Sequence, residues 1–228
     1  MLRLAILISG RGSNMIKLAE AIDQSHMNAQ IAVVISNQHC DGITRAATLG
    51  LPTDVIDRQD FATRRAHDAA IEQAINAAAA DFVLLAGYMA ILGAEFINVF
   101  AGRLINIHPS LLPDFRGLDT HQRAIDANAT RHGATVHLVN AALDEGAIIL
   151  QAELSVSPHD NAEKLAARVL QLEHQLYPFV LKSLCDGQLT LAADKVTWHH
   201  QALDTLTNPP SAAAAFAEAV RWPDAPPP

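Results

Sequence analysis

The chain has 228 residues, of which 50% are hydrophobic, 18% charged and only 5% aromatic, which allows one sizeable aliphatic α/β core, alone or with a tail, and excludes disorder throughout. Lys and Arg number 16 against 24 Asp and Glu, a net charge of −8 with no basic run longer than Arg64-Arg65, so a surface built to neutralise nucleic-acid phosphates is not expected. Cys40 and Cys185 stand far apart in no metal-type spacing, and the longest uncharged apolar stretch, residues 82–94, is shorter than the roughly 20 residues of a membrane helix, so we expect no disulfide, no metal, no membrane span and a reduced cytoplasmic setting.

Residues 2–8, apolar apart from Arg3, predict a buried first strand that runs straight into Ser9-Gly10-Arg11-Gly12-Ser13-Asn14 rather than into a small-residue cleavage site. A helix from Met15 follows. Strand 31–36 precedes a helix near 43–49, strand 53–56 precedes a long helix within 61–80, and strands at 82–87 and 104–108 continue the rhythm. Such βαβ alternation predicts a largely parallel sheet covered on both faces, with ligands at the carboxyl ends of its strands. Segments 134–139 and 147–156 are joined only by 140–146, too short for a crossover helix, and therefore predict an antiparallel pair. Leu165, Val169, Leu172, Leu176 and Phe179 recur at spacings of three and four within 161–184, a helix with one buried stripe that Pro178 is expected to bend or break. A short strand at 189–191 closes the expected domain, residues 1–191. Residues 192–228, with Asn208-Pro209-Pro210 and Pro226-Pro227-Pro228, are expected to form an extension or tail with one short helix near 212–220. The fold class is α/β, doubly wound and Rossmann-like, with a mostly parallel sheet of about seven strands.

Three motifs can carry chemistry. Ser9-Gly10-Arg11-Gly12-Ser13-Asn14 places glycines and a helix N-terminus where unpaired N–H groups can meet a phosphate. Met15 stands where a dinucleotide fingerprint needs a third glycine, so NAD binding is not supported, and the bland alternative is a plain turn capped by Ser13 or Asn14. In Asn106-Ile107-His108-Pro109-Ser110-Leu111-Leu112-Pro113 the residues two apart on the fifth strand, Asn106 and His108, share a face toward the ligand crevice. An amide that stabilises developing negative charge beside an imidazole that acts as acid or base suits a reaction that makes an oxyanion and must move a proton, although a histidine in a chain with eleven of them is often structural. Leu143-Asp144-Glu145-Gly146 has ordinary turn composition, but if its loop folds over the crevice Asp144 can pair with His108 and favour the protonated ring. Neither Gly-x-Ser-x-Gly nor His-Glu-x-x-His occurs, and His121, His132 and His137 lack a ligand spacing.

From Leu2 to about Leu191 the chain resembles the phosphoribosylglycinamide formyltransferases, folate-dependent enzymes of purine synthesis. The likeness is carried by Ile8-Ser9-Gly10 with Gly12-Ser13-Asn14, Leu85-Ala86-Gly87-Tyr88-Met89, the Asn106–Pro113 run, Gly117-Leu118-Asp119-Thr120-His121, His132-Gly133-Ala134-Thr135-Val136-His137, Leu143-Asp144-Glu145-Gly146 and Glu173-His174. The Asn106–Pro113 run is shared by several formyltransferases and names the chemistry; the Gly-x-Gly-Ser-Asn loop and the Gly117–His121 segment favour glycinamide ribonucleotide as substrate.

The resemblance implies transfer of formyl from 10-formyltetrahydrofolate, a cosubstrate, to the amine of glycinamide ribonucleotide, with no metal, no nucleic acid, no membrane, and a monomer or homodimer. It further implies that Asn106 and protonated His108 stabilise the oxyanion, that His108 passes a proton to the departing folate nitrogen, and that Asp144 holds His108 in its working state. Gly12, Ser13 and Asn14 map to the phosphate loop and Glu173 to a substrate contact. Arg64, Asn106 and the segment Met89, Ala90, Ile91, Leu92 map to the folate side. Ala90 stands where the family often has arginine, Leu170 where a polar residue is common, and Arg116 where proline is frequent; Arg-Gly at 116–117 is similar to methionyl-tRNA formyltransferases. The alternatives are another formyl-folate enzyme, of the methionyl-tRNA type or a formyltetrahydrofolate hydrolase, and a non-catalytic nucleotide-binding module. The hydrolases carry an N-terminal regulatory domain, for which a first strand at Leu2 leaves no room, and retention of Asn106, His108 and Asp144 together argues against the module.

Overall fold

The computed structural model describes residues 1–193, 195–199 and 214–222. Strands β1 (Leu2–Ile8), β2 (Ala29–Ser36), β3 (Thr53–Val55), β4 (Phe82–Leu85) and β5 (Leu104–His108) pair in parallel in the order 3-2-1-4-5. The crossovers are α1 (Ser13–Gln24), α2 (Asp41–Thr48), α3 (Arg64–Ala77) and α4 (Ala94–Val99). Beyond β5 the chain forms α5 (Thr120–Asp126), then β6 (Arg131–Leu138) and β7 (Ile148–Ser155), which extend the sheet antiparallel. The reversal at β1, where the chain passes to β2 on one side and to β4 on the other, opens a crevice at the strands' carboxyl ends.

Alternation along β1 puts helices on both faces. Leu4, Ile6 and Ile8 pack with Met15 and Leu18 of α1 and with Leu165, Val169 and Leu176 of α6 (Ala162–Cys185). Ala5 and Leu7 point the other way, into Ile71 and Ile75 of α3 and Phe96 of α4. Every residue from Leu4 to Ile8 is fully buried, so β1 is the central strand that the apolar run implies. Helix α6 continues as one helix through Pro178, so of the expected bend or break the break does not occur. Proline removes the N–H that would bond the carbonyl four residues back, and the stripe buried on both sides of it, Val169, Leu176, Tyr177, Val180 and Leu181, keeps the helix seated. The Tyr177 hydroxyl donates toward the Leu85 and Ile105 carbonyls at 3.3 and 3.0 Å, tying α6 to β4 and β5 beneath the site.

After α6, β8 (Leu189–Leu191) pairs with β9 (Val196–Trp198) in a separate two-stranded sheet. The helix expected near 212–220 is α7 (Ala214–Ala219), and β10 (Val220–Arg221) follows it to pair with β7, bringing the main sheet to eight strands. The described part of 192–228 is thus packed on the domain rather than trailing from it. Trp198 Nε1 donates to the Ile149 carbonyl at 3.0 Å, stacks on Phe179 and meets Trp222 edge-on, and Phe216 is buried. Asn208-Pro209-Pro210 and Pro226-Pro227-Pro228 lie outside the described residues. No helix among the described residues is long and apolar enough to cross a membrane.

Candidate active site

The loop from Ile8 to α1 leaves a helix N-terminus open. Gly12 is the N-cap at φ +69° and no side chain caps the helix, so Ser13 and Asn14 do not take the capping role that a plain turn would give them. The first-turn N–H groups then have no acceptor within the helix, the arrangement that receives an anion. Gly42 packs against this loop: its N–H donates to the Gly10 carbonyl at 3.0 Å, and a Cβ there would stand 2.5 Å from that oxygen. At the second residue of α1, Asn14 Nδ2 donates to Glu173 Oε2 of α6 at 2.6 Å, while Asn14 Oδ1 is buried without a partner. Glu173 is only 8% exposed, and desolvation pushes its carboxyl up to about 7 against the pull of the Asn14 bond. Two residues 159 apart in sequence therefore form one buried polar site beside the loop.

At the end of β5 the two residues expected to share a face do so. His108 Nε2 lies 3.1 Å from the Phe115 carbonyl and Nδ1 lies 3.6 Å from Asp144 Oδ2, an ion-pair separation. Both ring nitrogens therefore face acceptors. The loop 140–146 folds over the crevice, where Asp144, its side chain 9% exposed, accepts from the Gly117 N–H at 2.9 Å. Asp144 holds φ +53° and Phe115 φ +55°, left-handed conformations that cost a non-glycine residue about 1 kcal/mol or more and persist only under restraint by neighbours.

Asn106 pairs across the ladder with His137, a residue that sequence reading set aside for lack of a metal spacing. Asn106 Nδ2 lies 3.1 Å from His137 Nε2, and His137 Nδ1 lies 2.8 Å from the Leu138 carbonyl. The consistent assignment has His137 neutral, donating from Nδ1 and accepting at Nε2, and burial lowers its pKa in agreement. His137 thereby holds one N–H of the Asn106 amide and fixes its orientation. Thr135, opposite His108, was also missed: its hydroxyl donates to the Ser110 carbonyl at 2.6 Å and accepts from the Leu112 N–H at 3.1 Å and from Gln151 Nε2 at 2.8 Å. The signal for both was present, since 135 and 137 alternate onto one face of β6, but only the strand pairing shows which face.

The segment Met89, Ala90, Ile91, Leu92 forms the loop after β4, with Met89 and Ile91 exposed and Leu92 buried. Its ends are fixed by the Met89 N–H donating to Ser9 Oγ and the Gly93 N–H donating to Asp68 Oδ2, both at 2.8 Å. Arg64 is the first residue of α3, capped by Thr63. It lines a cavity of about 590 Å³ with Arg65, Asp68, Glu72 and the Gly93–Phe96 turn, and none of Asn106, His108 and Asp144 borders that cavity. Among the described residues no group of three or more His, Cys, Asp or Glu is placed to hold a metal ion; His121 and His132 do meet, Nδ1 to Nε2 at 3.1 Å.

An amide, an imidazole and a carboxylate gathered at the carboxyl edge of a doubly wound sheet, beside a helix N-terminus open to an anion, mark an α/β enzyme of small molecules. Residues 2–181 match the formyl transferase family, and the chain belongs to it. Phosphoribosylglycinamide formyltransferase of Haemophilus influenzae is 43% identical over 192 residues, 84% of this chain and 91% of that protein. The enzyme of the same name from Escherichia coli is 37% identical over 215 residues, 94% and 99% of the two chains. The solved phosphoribosylglycinamide formyltransferase of Coxiella burnetii, in complex with CHES, superposes with a TM-score of 0.82 at 40% identity, covering 86% of this chain and 93% of its own.

Proposed function

We propose that the protein transfers the formyl group of 10-formyltetrahydrofolate to the amine of N1-(5-phosphoribosyl)glycinamide, giving formylglycinamide ribonucleotide and tetrahydrofolate in de novo purine (IMP) biosynthesis. The observation that carries this reading is that two polar groups stand at the carboxyl ends of parallel strands separated only by β4: Asn106, His108 and Asp144 at the end of β5, and the open α1 terminus after β1 with Asn14 and Glu173. The relatives' shared name supplies the substrates.

In this reading the nucleotide phosphate takes the first-turn N–H groups of Gly12, Ser13 and Asn14, and the sugar hydroxyls take Glu173 and the unpartnered Asn14 Oδ1. The folate lies along Met89–Leu92, with Arg64 toward its carboxylates. The amine nitrogen bonds to the formyl carbon, whose carbonyl electron pair moves onto oxygen. The other N–H of Asn106 and the Nε2–H of protonated His108, exchanging the Phe115 carbonyl for substrate, meet that oxyanion. Collapse breaks the carbon–nitrogen bond to folate; the amine loses a proton and the departing folate nitrogen gains one, with His108 in the transfer. Asp144 balances the charge on the ring.

His137 orients Asn106 in the same scheme. Arg116 is engaged by Glu145, so its likeness to the tRNA-acting enzymes gives no free cation for an RNA ligand. The acceptors are small molecules, the setting is the cytoplasm, and the assembly is a monomer or homodimer. Purified protein given 10-formyltetrahydrofolate should formylate glycinamide ribonucleotide; turnover with methionyl-tRNA in its place would move the assignment to the other enzyme class.

A further inference from the structure

The two loops that supply His108 with its acceptors are fastened to each other by charges outside the catalytic group. Arg116 Nη1 donates to Glu145 Oε1, joining the residue after Phe115 to the residue after Asp144. The neighbouring Gly117 N–H makes the 2.9 Å bond to Asp144 Oδ2, so the ion pair and this bond bridge the same loops side by side. From the other flank, Arg123 of α5 donates to the carbonyls of Arg116 and Leu118 and lies over the Phe115 ring. Phe115, Gly117, Asp119 and Asp144 all hold positive φ. A turn with that many left-handed residues needs restraint from outside itself, and among the described residues its side-chain hydrogen bonds to loop 140–146 are these two bridges. Arg116 Nε is buried without a partner, and the side-chain contact that holds the guanidinium is the ion pair with Glu145.

We propose that Arg116 and Glu145 are positioning residues: a latch that holds the 115–117 turn against loop 140–146, and so sets Asp144 against His108 during formyl transfer. The inference rests on the catalytic reading above for its kinetic consequence, but not for its structural one. The side chains are 40% and 48% exposed, and a half-exposed pair is worth on the order of 1 kcal/mol or less, about five-fold in the population of the latched state. The latch is therefore a modest and salt-sensitive bias.

Glu145→Gln and Arg116→Gln should each lower kcat about three- to five-fold while the KM for the ribonucleotide stays within two-fold. The reversed pair, Arg116→Glu with Glu145→Arg, should recover most of the loss. Added salt should depress the wild-type kcat toward that of Glu145→Gln and leave the variant flat. Amide hydrogen exchange at Gly117 reads the latch without any assay of activity: it should quicken in both single variants and return in the reversed pair. Unchanged kcat in active single variants, or losses the reversal does not repair, overturn the kinetic role. Gly117 exchange that is the same in all four proteins overturns the latch itself, and that result stands whether or not the wild type proves to be a formyltransferase.

Discussion

His108 meets the Phe115 carbonyl at one ring nitrogen and Asp144 at the other, so its removal takes away the proton carrier and leaves two acceptors facing each other. His108→Ala should cut kcat by at least about a hundred-fold, the lower end of what general acid–base catalysis contributes, and leave ribonucleotide affinity by calorimetry within a few-fold; unaltered turnover would refute its role. Glu173 and His132 give opposite pH signatures. Glu173 is raised from 4.5 to about 7 by burial, so its share of stability is full below 4.5 and is lost as pH rises through about 7. His132, fully buried, is lowered from 6.5 to about 4 by burial and by the neighbouring His121 and His108; its share is present above 6.5 and is lost as pH falls through about 4. Denaturant titrations should show Glu173→Gln gaining on the wild type between pH 5 and 8, and His132→Asn gaining as pH falls from 7 to 4. A constant gap in either series would contradict the assignment. Asn106 and His108 were legible because strand alternation alone puts them on one face. His137 was not, since it matters only through the Asn106↔His137 register.

At the scale of elements, the α1 terminus depends on α2 as much as on its own glycines. Gly42 is the second residue of α2, and a Cβ on it would meet the Gly10 carbonyl at 2.5 Å and the Gly12 nitrogen at 3.2 Å. Gly42→Ala should therefore displace the 10–12 turn, cost about 1–3 kcal/mol as overpacking does, and raise the ribonucleotide KM more than it lowers kcat. An unchanged KM would mean that the turn does not hold the phosphate. The strand and helix rhythm up to β5 could be read from short β-branched and aliphatic runs, because each strand is separated from the next by a crossover and all but the edge strand β3 are largely buried. Helices α4 and α5, of six and seven residues, could not, since neither is long enough to display a period. The unbroken course of α6 through Pro178 was illegible for another reason: local chemistry disfavours it, and tertiary burial decides it.

For the whole molecule, the C-terminal segment closes the sheet. Strand β10 pairs with Gln151 and Ala152 of the β7 edge and Phe216 lies buried beside Phe179, where an open edge would invite pairing with another chain. Deleting residues 214–228 removes a buried aromatic worth about 1.5–3 kcal/mol, equivalent to roughly 5–10 °C in a domain of this size. The truncated protein should melt lower and scatter more light at high concentration while keeping kcat within about two-fold. A midpoint equal to that of the full chain would show that the segment carries no stability. The sequence pointed to a tail with one short helix, and not to its seat on the sheet, because the aromatic contacts that hold it, Trp198 with Phe179 and Trp222, join residues that no local pattern links.

The central claim, formyl transfer to glycinamide ribonucleotide by the group at the end of β5, is tested most directly by one assay. Wild-type protein and His108→Ala are each given 10-formyltetrahydrofolate with glycinamide ribonucleotide, with methionyl-tRNA, or with no acceptor, and both products are followed. The expected result is formylglycinamide ribonucleotide and tetrahydrofolate in equal amounts from the wild type alone, and only with the ribonucleotide present. Folate turnover with tRNA or water instead, or equal turnover by the variant, would contradict it.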